Sequence, residues 1–471
     1  MKIVPVILAG GIGSRLWPQS TKEYPKQFLN FFSTQSLLEL TLSRLSDQNY
    51  ESPVIICNAQ NRFIVAEKCH KAGFPNSTII TEPLGGNTSL AIASVACFLK
   101  TQYDDCIMLI LPSDHLIKDI GAFRLNIEQA FLESCKDKLI TFSVFPNSPH
   151  TGYGYIKLDK QNDSCMKVVA FHEKPSQETA KEYISSKKYF WNSGMFVFRL
   201  STFVKEFMEY SKDLFQLAEF AYTNSKRDYD FIRLEKYQLH SSIVISNLSI
   251  DKVLLEKSQK IFSIVLSSDW TDLGSWEAIY EAFSKDKDQN LTSGNVYLNS
   301  TTNSFVSSNG RTICTFGIDN MYVIDNPNIT LISTKDRISD LANLNELLPK
   351  NILNSNQKGI KIYRPWGHYL IIEQGEKFQV KKLVVKSYAK LSLQSHQFRS
   401  EHWVIIKGVA TVHKAGEIYE LNEGDSIFID KSIKHSLENN TNESIEIIEV
   451  QSGVYLGEDD IIRYEDIYGR D

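Results

Sequence analysis

The sequence predicts an α/β domain with a mixed, mostly parallel sheet, followed by a small β module and an all-β barrel. Three observations predict this order. From residue 1 to 288, short apolar runs alternate with segments of helical spacing, which is typical of a parallel sheet covered by helices. From 289 to 350, shorter runs separated by Asn, Gly and Ser indicate a linker module of short strands, of β-helix type. From 360 to 471, β-branched strands with turns between them indicate a barrel or sandwich.

The first region contains apolar runs that we expect to be buried strands and segments that we expect to be helices. The predicted strands cover residues 3–8, 54–57, 78–80 and 106–111. The predicted helices cover residues 36–45, 61–71 and 87–100, with Asn87 as the expected N-cap of the third. Because such sheets bind ligands beyond the carboxyl ends of their strands, we expect the site in the loops after the first and fourth strands.

The other two regions contain shorter elements. In the module we expect short strands around residues 295–297, 304–306 and 322–324, and then a polar linker over 351–358. In the barrel we expect strands over residues 381–385, 402–406, 426–429 and 444–450.

Composition excludes several classes of function. The formal net charge of the 471 residues is −5, so no basic field favours nucleic acid. No stretch approaches the roughly 20 apolar residues of a membrane span, and the first apolar run leads into Gly-Gly rather than a cleavage site. Seven cysteines contain no Cys-x-x-Cys pair, which fits a reducing compartment. We expect a cytoplasmic protein that binds neither nucleic acid nor membrane, and the sequence leaves a homo-oligomer open.

A glycine-rich loop follows the first predicted strand, where residues 8–18 read Leu-Ala-Gly-Gly-Ile-Gly-Ser-Arg-Leu-Trp-Pro. Glycines let the backbone turn with N–H groups facing outward, as phosphate oxygens require. Arg15 and Lys26 add positive charge, which suits the roughly four negative charges of a triphosphate. The loop lacks the Gly-Lys-Ser/Thr ending of a P-loop and the spacing of a Rossmann dinucleotide site. The alternative, a tight turn without a ligand, does not explain the two basic residues.

Two carboxylates and a group of polar residues complete a second set of candidates. Asp114 follows a predicted strand and Asp272 precedes a predicted helix, so together they can hold one Mg²⁺ against phosphate oxygens. The alternative for each is an ordinary turn or N-cap residue. Gly154 lies in a glycine-hinged loop over 151–156, where backbone could approach a hydroxyl group. Glu173 and Asn192 can hydrogen-bond sugar hydroxyls.

Residues 8–28 resemble the signature of mannose-1-phosphate guanylyltransferases, a branch of the sugar-nucleotide pyrophosphorylases. The family usually has Ser-Arg before the Tyr-Pro-Lys-Gln-Phe element, whereas this chain has Ser-Thr-Lys at 20–22. The resemblance implies a Rossmann-like nucleotidyltransferase domain over 1–288. It implies the reaction of GTP with mannose 1-phosphate to GDP-mannose and pyrophosphate, for surface polysaccharide or lipopolysaccharide synthesis. A sugar-1-phosphate nucleotidyltransferase of different base specificity is the alternative, because Gly86 stands where the family has Arg.

The same resemblance implies roles for individual residues. Asp114 and Asp272 would bind Mg²⁺, while Arg15 would hold the leaving phosphates and Lys26 the α-phosphate. The nucleotide would be bound by Leu8, Ala9, Gly10, Gly11, Gly13, Ser14, Glu82, Gly85, Asn87 and Thr88. The sugar phosphate would be bound by Gly154, Glu173, Lys174 and Asn192, with Lys174 also acting in catalysis.

The last region carries a second group of candidate ligands. Residues 394 and 396 share one face of a predicted strand. The group resembles the two cupin motifs, with Gln394 in place of the first His. The resemblance implies that Gln394, His396, Glu401 and His435 bind one divalent metal. Nitrogen and oxygen ligands without thiolate suit Zn²⁺ or a similar ion.

Residues 363–367, 378–381, 399–403 and 455–461 resemble type II phosphomannose isomerases in the same order. This resemblance implies a second activity, the interconversion of fructose 6-phosphate and mannose 6-phosphate, with Arg399 and Arg470 contacting phosphate or hydroxyl groups. The alternatives are a transferase whose cupin domain is not catalytic, and a sensor of nucleotide sugars without enzymatic activity.

Overall fold

The computed structural model describes residues 1–11, 13–46, 49–83, 88–159, 164–228, 230–236, 249–341, 348–349 and 359–465. The chain divides into two compact units. The first comprises Met1–Leu16 and Pro25–Ser284, and the second comprises Trp17–Tyr24 and Lys285–Asp471. The polar stretch 351–358, which we predicted to be a linker, lies outside the described residues.

The first unit alternates strands and helices. Its strands are β1 (Ile3–Ala9), β2 (Val54–Asn58), β3 (Thr78–Glu82), β4 (Ile107–Pro112), β5 (Leu116–Ile117), β6 (Leu139–Val144), β7 (Gly154–Leu158), β8 (Met166–Glu173), β9 (Tyr189–Arg199), β10 (Lys226–Asp228), β11 (Phe231–Arg233), β12 (Ile261–Val265) and β13 (Trp270–Thr271). Its helices are α1 (Leu37–Ser43), α2 (Arg62–Lys71), α3 (Thr88–Gln102), α4 (Ile120–Ser134), α5 (Gln177–Ser186), α6 (Leu200–Thr223) and α7 (Trp276–Ala282). The predicted strands correspond to β1–β4 and the predicted helices to α1–α3.

One large sheet in the order β10-β11-β3-β2-β1-β4-β9-β6-β12-β8-β7 forms the centre of this unit within the described residues. Strand β1 pairs in parallel with β2 and β4, whereas β9 runs antiparallel between β4 and β6. The sheet is therefore mixed, as predicted, but it is not mostly parallel, because six of the pairings among its described strands are antiparallel and five are parallel. Leu8 lies beside Ile56 and Pro112 in register, so the loops after β1, β2 and β4 meet at one edge.

The core of the first unit explains why these segments fold. Helix α3 is buried over most of its length and packs with α6 against the sheet. Val6 and Ile110 on neighbouring strands are fully buried beneath these helices. Burying an aliphatic side chain of this size stabilises the fold by about 1.5–3 kcal/mol, so continuous apolar strands belong inside.

The second unit begins with short strands. They are β14 (Leu291–Ser293), β15 (Val296–Asn299), β16 (Phe305–Ser307), β17 (Ile313–Phe316), β18 (Met321–Asp325) and β19 (Thr330–Thr334). Strands β14, β16 and β18 pair in parallel, as do β15 and β17, which is the stacking of a β-helix. Segment 17–24 belongs to this unit because Asn326 Nδ2 donates to the Pro18 carbonyl (2.7 Å) and Gln19 Nε2 donates to the Asp325 carbonyl (2.8 Å).

The rest of the second unit consists of two antiparallel sheets. Its strands are β20 (Lys361–Arg364), β21 (Gly367–Gln374), β22 (Phe378–Val385), β23 (Leu393–His396), β24 (Arg399–Lys407), β25 (Ala410–Lys414), β26 (Glu417–Leu421), β27 (Ser426–Ile429), β28 (His435–Glu438), β29 (Ile445–Gly453) and β30 (Ile461–Glu465). The sheets have the orders β20-β21-β22-β29-β24-β27 and β26-β25-β28-β23-β30. Trp403, Ile405 and Leu437 lie in the core between them. The four predicted barrel strands lie in or overlap β22, β24, β27 and β29.

Candidate active site and metal centre

The glycines of the first loop are required by their surroundings. A Cβ atom on Gly10 would lie 2.5 Å from Glu82 Oε1, so a side chain there would displace the buried Glu82 carboxyl. Gly13 has φ +70°, which L side chains rarely adopt. Gly11 is exposed, with open space where a Cβ would be, and it borders a cavity. The loop is therefore closely packed at Gly10 and open at Gly11.

Two side-chain amides hold the start of this loop. Asn58 Nδ2, at the end of β2, donates to the Gly10 carbonyl (3.0 Å). Gln27 Nε2 donates to the Ala9 carbonyl (2.9 Å) in a buried hydrogen bond. These bonds hold one carbonyl at the last residue of β1 and one just after it, so the backbone at the start of the loop has a fixed position.

A cavity of about 380 Å³ lies at this edge of the sheet. The predicted site residues that line it are Leu8, Gly10, Gly11, Glu82, Thr88, Gly154, Glu173, Lys174, Asn192 and Asp272. Residues that we did not predict also line it, among them His115, Tyr153, Asp251 and Trp270. Gly85 and Asn87 lie outside the described residues, and Ser14 is placed only as the first residue of a 3₁₀ turn, Ser14–Leu16.

Lys26 brings the two predicted metal ligands together. Its side chain is buried, and Nζ donates to Asp114 Oδ2 (3.0 Å) and to the carbonyl oxygen of Asp272. Strand β13 pairs with β5, which brings the segment before Asp272 beside the segment after Asp114. Lys26 thus links two residues far apart in the sequence, contacting the carboxylate of Asp114 and the backbone carbonyl of Asp272.

Both carboxylates are charged at neutral pH. Burial would raise the pKa of Asp114, but the ammonium group of Lys26 lowers it below its usual value. Burial would also raise the pKa of Asp272, but Lys26 and a hydrogen bond from the Tyr153 hydroxyl to Oδ1 (2.6 Å) lower it. Two ionised oxygen donors suit a hard divalent cation.

His115 and Trp270 form part of the wall. Trp270 Nε1 donates to His115 Nδ1 (3.2 Å), and burial lowers the pKa of His115 to about 4. The imidazole is therefore neutral at physiological pH and adds no charge beside Asp114. Arg15 is exposed, and its Nη1 lies 3.6 Å from the position that a Cβ on Gly152 would occupy. Arg15 therefore lies near Gly152, which lines the cavity.

The predicted sugar side is formed by neighbouring strands. Gly154 pairs with Glu173 between β7 and β8, and a Cβ on Gly154 would lie 2.8 Å from Glu173 Oε2. Lys174 has φ +47°, and its largely exposed Nζ lies 3.1 Å from Glu173 Oε1. The prediction of a loop over 151–156 was partly wrong, because β7 begins at Gly154 and sheet pairing holds the glycine itself.

Asn192 on β9 has a fixed orientation. Its Oδ1 accepts from the Thr141 hydroxyl (2.6 Å), and its Nδ2 donates to Asp251 Oδ1 (3.1 Å). Burial raises the pKa of Asp251 to about 7, with a further contribution from the negative charge of Glu173. Sequence reasoning missed Asp251 because a lone acid before an apolar run carries no motif of its own.

A second group of ligands lies in the barrel. Donor atoms of His396, Glu401 and His435 lie within 4.8 Å of one another, and all three residues are buried. Nε2 of His396 is 3.0 Å from Glu401 Oε1, and Nε2 of His435 is 3.5 Å from Oε2. These two nitrogens make no hydrogen bond of normal geometry within the described residues. Buried imidazole nitrogens beside a carboxylate are donors of the kind that suit a divalent metal.

Neighbouring groups orient these ligands. His435 Nδ1 lies 2.9 Å from the Ile433 carbonyl, an arrangement that leaves Nε2 to face Glu401. Burial would raise the pKa of Glu401, but the two histidines lower it. Gln394 is half-buried and lies opposite His435 in the register of β23 and β28.

The two predicted arginines have different outcomes. Arg399 is buried; its Nη1 donates to the Gly457 carbonyl (2.7 Å), and its Nε lies 3.5 Å from Glu401 Oε1. It also borders a cavity of about 50 Å³ that Lys381 and Glu449, which we did not predict, help to line. Arg470 lies outside the described residues.

Two family models match the chain. Residues 4–289 match the model described as nucleotidyl transferase, and residues 352–466 match mannose-6-phosphate isomerase C-terminal. The mannose-1-phosphate guanylyltransferase of Salmonella muenchen is 37% identical over 467 residues, which are 98% of each protein. The chain belongs to the mannose-1-phosphate guanylyltransferase family. The alginate biosynthesis protein AlgA of Pseudomonas aeruginosa is 36% identical over 471 residues, 99% of this chain and 97% of that protein.

A solved structure is also similar. It is described as a mannose-1-phosphate geranyltransferase from Thermus thermophilus, and it is 26% identical with a TM-score of 0.63. The similarity covers 74% of this chain and 99% of that chain. These matches confirm the predicted fold class, a Rossmann-like nucleotidyltransferase domain with a C-terminal cupin-type domain.

Membership of the mannose-1-phosphate guanylyltransferase family makes the chain an enzyme that transfers a nucleotidyl group. Its substrates are accordingly a nucleoside triphosphate and a sugar 1-phosphate. Enzymes of the two matched families generally use divalent metal ions, for which the barrel group of His396, Glu401 and His435 has suitable donors. Among the described helices, none is both long and apolar enough to cross a lipid bilayer.

Proposed function

We propose that the chain makes GDP-mannose and pyrophosphate from GTP and mannose 1-phosphate. The observation that carries this proposal is the meeting of Lys26, Asp114 and Asp272 beside the glycine loop, next to the cavity that Glu173 and Asn192 also line. An ammonium group and two carboxylates, which we assign to phosphates and a metal, thus lie beside the carboxyl and amide groups that we assign to a sugar. The full-length similarity to guanylyltransferases supports the same reaction.

The reaction is an in-line attack by a phosphate oxygen of mannose 1-phosphate on the α-phosphorus of GTP. A new P–O bond forms, the bond to the bridging oxygen of the β-phosphate breaks, and pyrophosphate leaves. Because both reactants are anions, we assign the rate enhancement to positioning and charge neutralisation. Backbone N–H groups at Gly10, Gly11 and Gly13, together with Arg15, would hold the leaving phosphates. Lys26 would hold the α-phosphate.

We assign a metal to the two carboxylates because both are ionised and both contact or flank the same ammonium group. Asp114 and Asp272 would hold Mg²⁺, which when bound would neutralise phosphate charge. Tyr153 and the Gly274 amide, which donate to Asp272 Oδ1, keep that carboxylate in one orientation.

The remaining predicted residues would bind the two organic groups. Glu173, Asn192 and the Gly154 backbone would bind sugar hydroxyls, and the exposed Lys174 would pair with the sugar phosphate. The nucleoside or its phosphates would be bound by the remaining predicted residues, Leu8, Ala9, Ser14, Glu82, Gly85, Asn87 and Thr88. The product would supply surface polysaccharide synthesis in the cytoplasm, where the seven free cysteines stay reduced.

A second activity is favoured by the buried group in the barrel. We propose that His396, Glu401 and His435, with Gln394, hold Zn²⁺ or a similar divalent ion. The ion would polarise a sugar oxygen during interconversion of fructose 6-phosphate and mannose 6-phosphate. Arg399 and Arg470 would bind phosphate or hydroxyl groups.

One set of assays on the purified chain tests both activities. Pyrophosphate release is measured with mannose 1-phosphate and Mg²⁺ in the presence of GTP, ATP, UTP or dTTP, and isomerisation is measured with mannose 6-phosphate. We expect GTP to be preferred by at least tenfold and chelator to stop both reactions. Preference for another triphosphate would contradict the base assignment. Unchanged isomerisation in chelator would contradict the barrel assignment.

A further inference from the structure

Asp251 adds a second carboxyl group to the candidate sugar pocket. It lines the same cavity as Glu173, Gly154 and Asn192. It begins a π-helical turn, Asp251–Leu255, and the preceding amide of Ile250 donates to Thr88 Oγ1 (3.0 Å). This bond connects the segment to the start of α3, so the backbone that carries Asp251 has a defined position at the cavity wall.

The contacts of Asp251 use only part of its hydrogen-bonding capacity. Oδ1 accepts from Asn192 Nδ2 (3.1 Å), and within the described residues no Lys, Arg or His lies within ion-pair distance of the carboxyl group. No side chain in that part of the structure donates to Oδ2. A carboxyl group beside a cavity, with an oxygen to spare, can accept a hydrogen bond from a ligand hydroxyl.

The side-chain amide of Asn192 also has a fixed orientation at the cavity wall. Its Oδ1 is occupied by the Thr141 hydroxyl and one N–H by Asp251, so its second N–H has a fixed direction. Together with Glu173, this gives the wall two carboxyl groups and one oriented amide. Such a wall, rich in acceptors, suits a polyhydroxylated ring and not a phosphate.

We propose that Asp251 binds a ring hydroxyl of the sugar 1-phosphate and helps to select which hexose is accepted. This inference rests on the proposed guanylyltransferase function and extends it to a residue that the sequence did not single out. Burial and the neighbouring Glu173 raise the pKa of Asp251 to about 7, while Lys174 opposes this and Glu256 adds to it. A group so poised can accept from a hydroxyl when charged and donate to one when neutral.

The test compares Asp251→Asn with wild type. Asparagine keeps an oxygen that accepts from Asn192, so the variant mainly replaces the oxygen that faces the cavity. We expect the Kd and KM for mannose 1-phosphate to rise by about tenfold or more, because a hydrogen bond to a charged group is lost. We expect the KM for GTP to change by less than about twofold. Asp213→Asn, at an exposed position of α6, is the matched control and should equal wild type.

Deoxy analogues of the sugar distinguish two roles for Asp251: a direct hydrogen bond to a sugar hydroxyl, and an indirect role in which Asp251 only orients Asn192. Binding of 2-, 3-, 4- and 6-deoxymannose 1-phosphate is measured by calorimetry for both proteins. We expect one analogue to bind wild type at least about tenfold more weakly than mannose 1-phosphate does. We expect the variant to bind that analogue and mannose 1-phosphate about equally. Equal penalties in both proteins, or equal losses for GTP and sugar, would overturn the inference.

Calorimetry also distinguishes the two proposals. If wild type binds mannose 1-phosphate but forms no GDP-mannose, the proposed reaction fails while the role of Asp251 is still measured. If wild type binds no hexose 1-phosphate, the role of Asp251 is refuted. Thermal melts of each variant show whether weaker binding reflects a loss of folding.

Discussion

Replacing Lys26 with Met tests whether the ammonium group serves the reaction or the fold. In the structure, Nζ lies 3.0 Å from Asp114 Oδ2 and also donates to the Asp272 carbonyl. At an effective dielectric constant of about 20, two unit charges at this distance attract by about 5.5 kcal/mol. Most of that attraction is offset by desolvation of the buried Lys26.

The net contribution to stability is therefore modest. The Asp114 side chain is 31% exposed, so water can solvate it after the ammonium group is removed. We expect the variant to lose about 1–2 kcal/mol of folding free energy, a Tm decrease of less than about 8 °C. Because Lys26 lowers the pKa of Asp114, its removal raises that pKa, so any residual activity should shift to higher pH.

The expected effect on catalysis is larger. Loss of one preorganised donor to a reacting anion lowers kcat by about 10²–10³, which corresponds to about 3–4 kcal/mol. Pyrophosphate release under saturating GTP and mannose 1-phosphate measures kcat, and calorimetry measures Tm. Lys22→Met, at an exposed position slightly earlier in the sequence, is the control and should retain wild-type kcat. If Lys26→Met keeps more than a tenth of wild-type kcat, the assigned role is wrong. If Tm falls far more than expected, the residue is chiefly structural.

Three further predictions concern Tyr153, Glu82 and His435. Tyr153→Phe removes the donor to Asp272 Oδ1, so the Mg²⁺ concentration for half-maximal activity should rise by about three- to tenfold; an unchanged value would contradict the orienting role. Burial raises the pKa of Glu82 to about 7, above its unfolded value, so stability should fall as pH rises from about 4 to 7, by at most about 3 kcal/mol. Denaturant melts should show this slope in wild type and in the exposed control Glu178→Gln but not in Glu82→Gln; a slope that persists would contradict the burial argument. His435→Ala should lower bound metal, measured by elemental analysis, from about one to below about 0.2 ions per chain, and retained metal would contradict the ligand assignment.

The elements that sequence reasoning found best are those with local patterns. Strands β1 and β4 are continuous apolar runs of six or seven residues, and burial on both faces requires such runs. The glycine pattern predicts the turn after β1. In the structure, Gly10 allows a close approach to Glu82, and Gly13 adopts a positive φ. The pairing of Asp114 with Asp272 came from resemblance, and the structure shows Lys26 as the group between them.

The features that were missed depend on contacts between distant residues. Tyr153 and Asp272 are 119 positions apart, and nothing local to either residue indicates their hydrogen bond. Asp251 acquires its place only when β9 and the turn at Asp251–Leu255 meet. The antiparallel insertion of β9 between β4 and β6 was not predicted either, because an apolar run fits parallel and antiparallel pairing equally well.

The measurement that tests the central claim most directly is product formation by the purified full-length chain. GTP, mannose 1-phosphate and Mg²⁺ are incubated with the protein. The nucleotide products are separated and identified by mass spectrometry, and the pyrophosphate released is quantified. We predict GDP-mannose and pyrophosphate in equal amounts, with loss of both in Lys26→Met. Absence of GDP-mannose, or faster formation of a different nucleotide sugar when other triphosphates are supplied, would contradict the assignment.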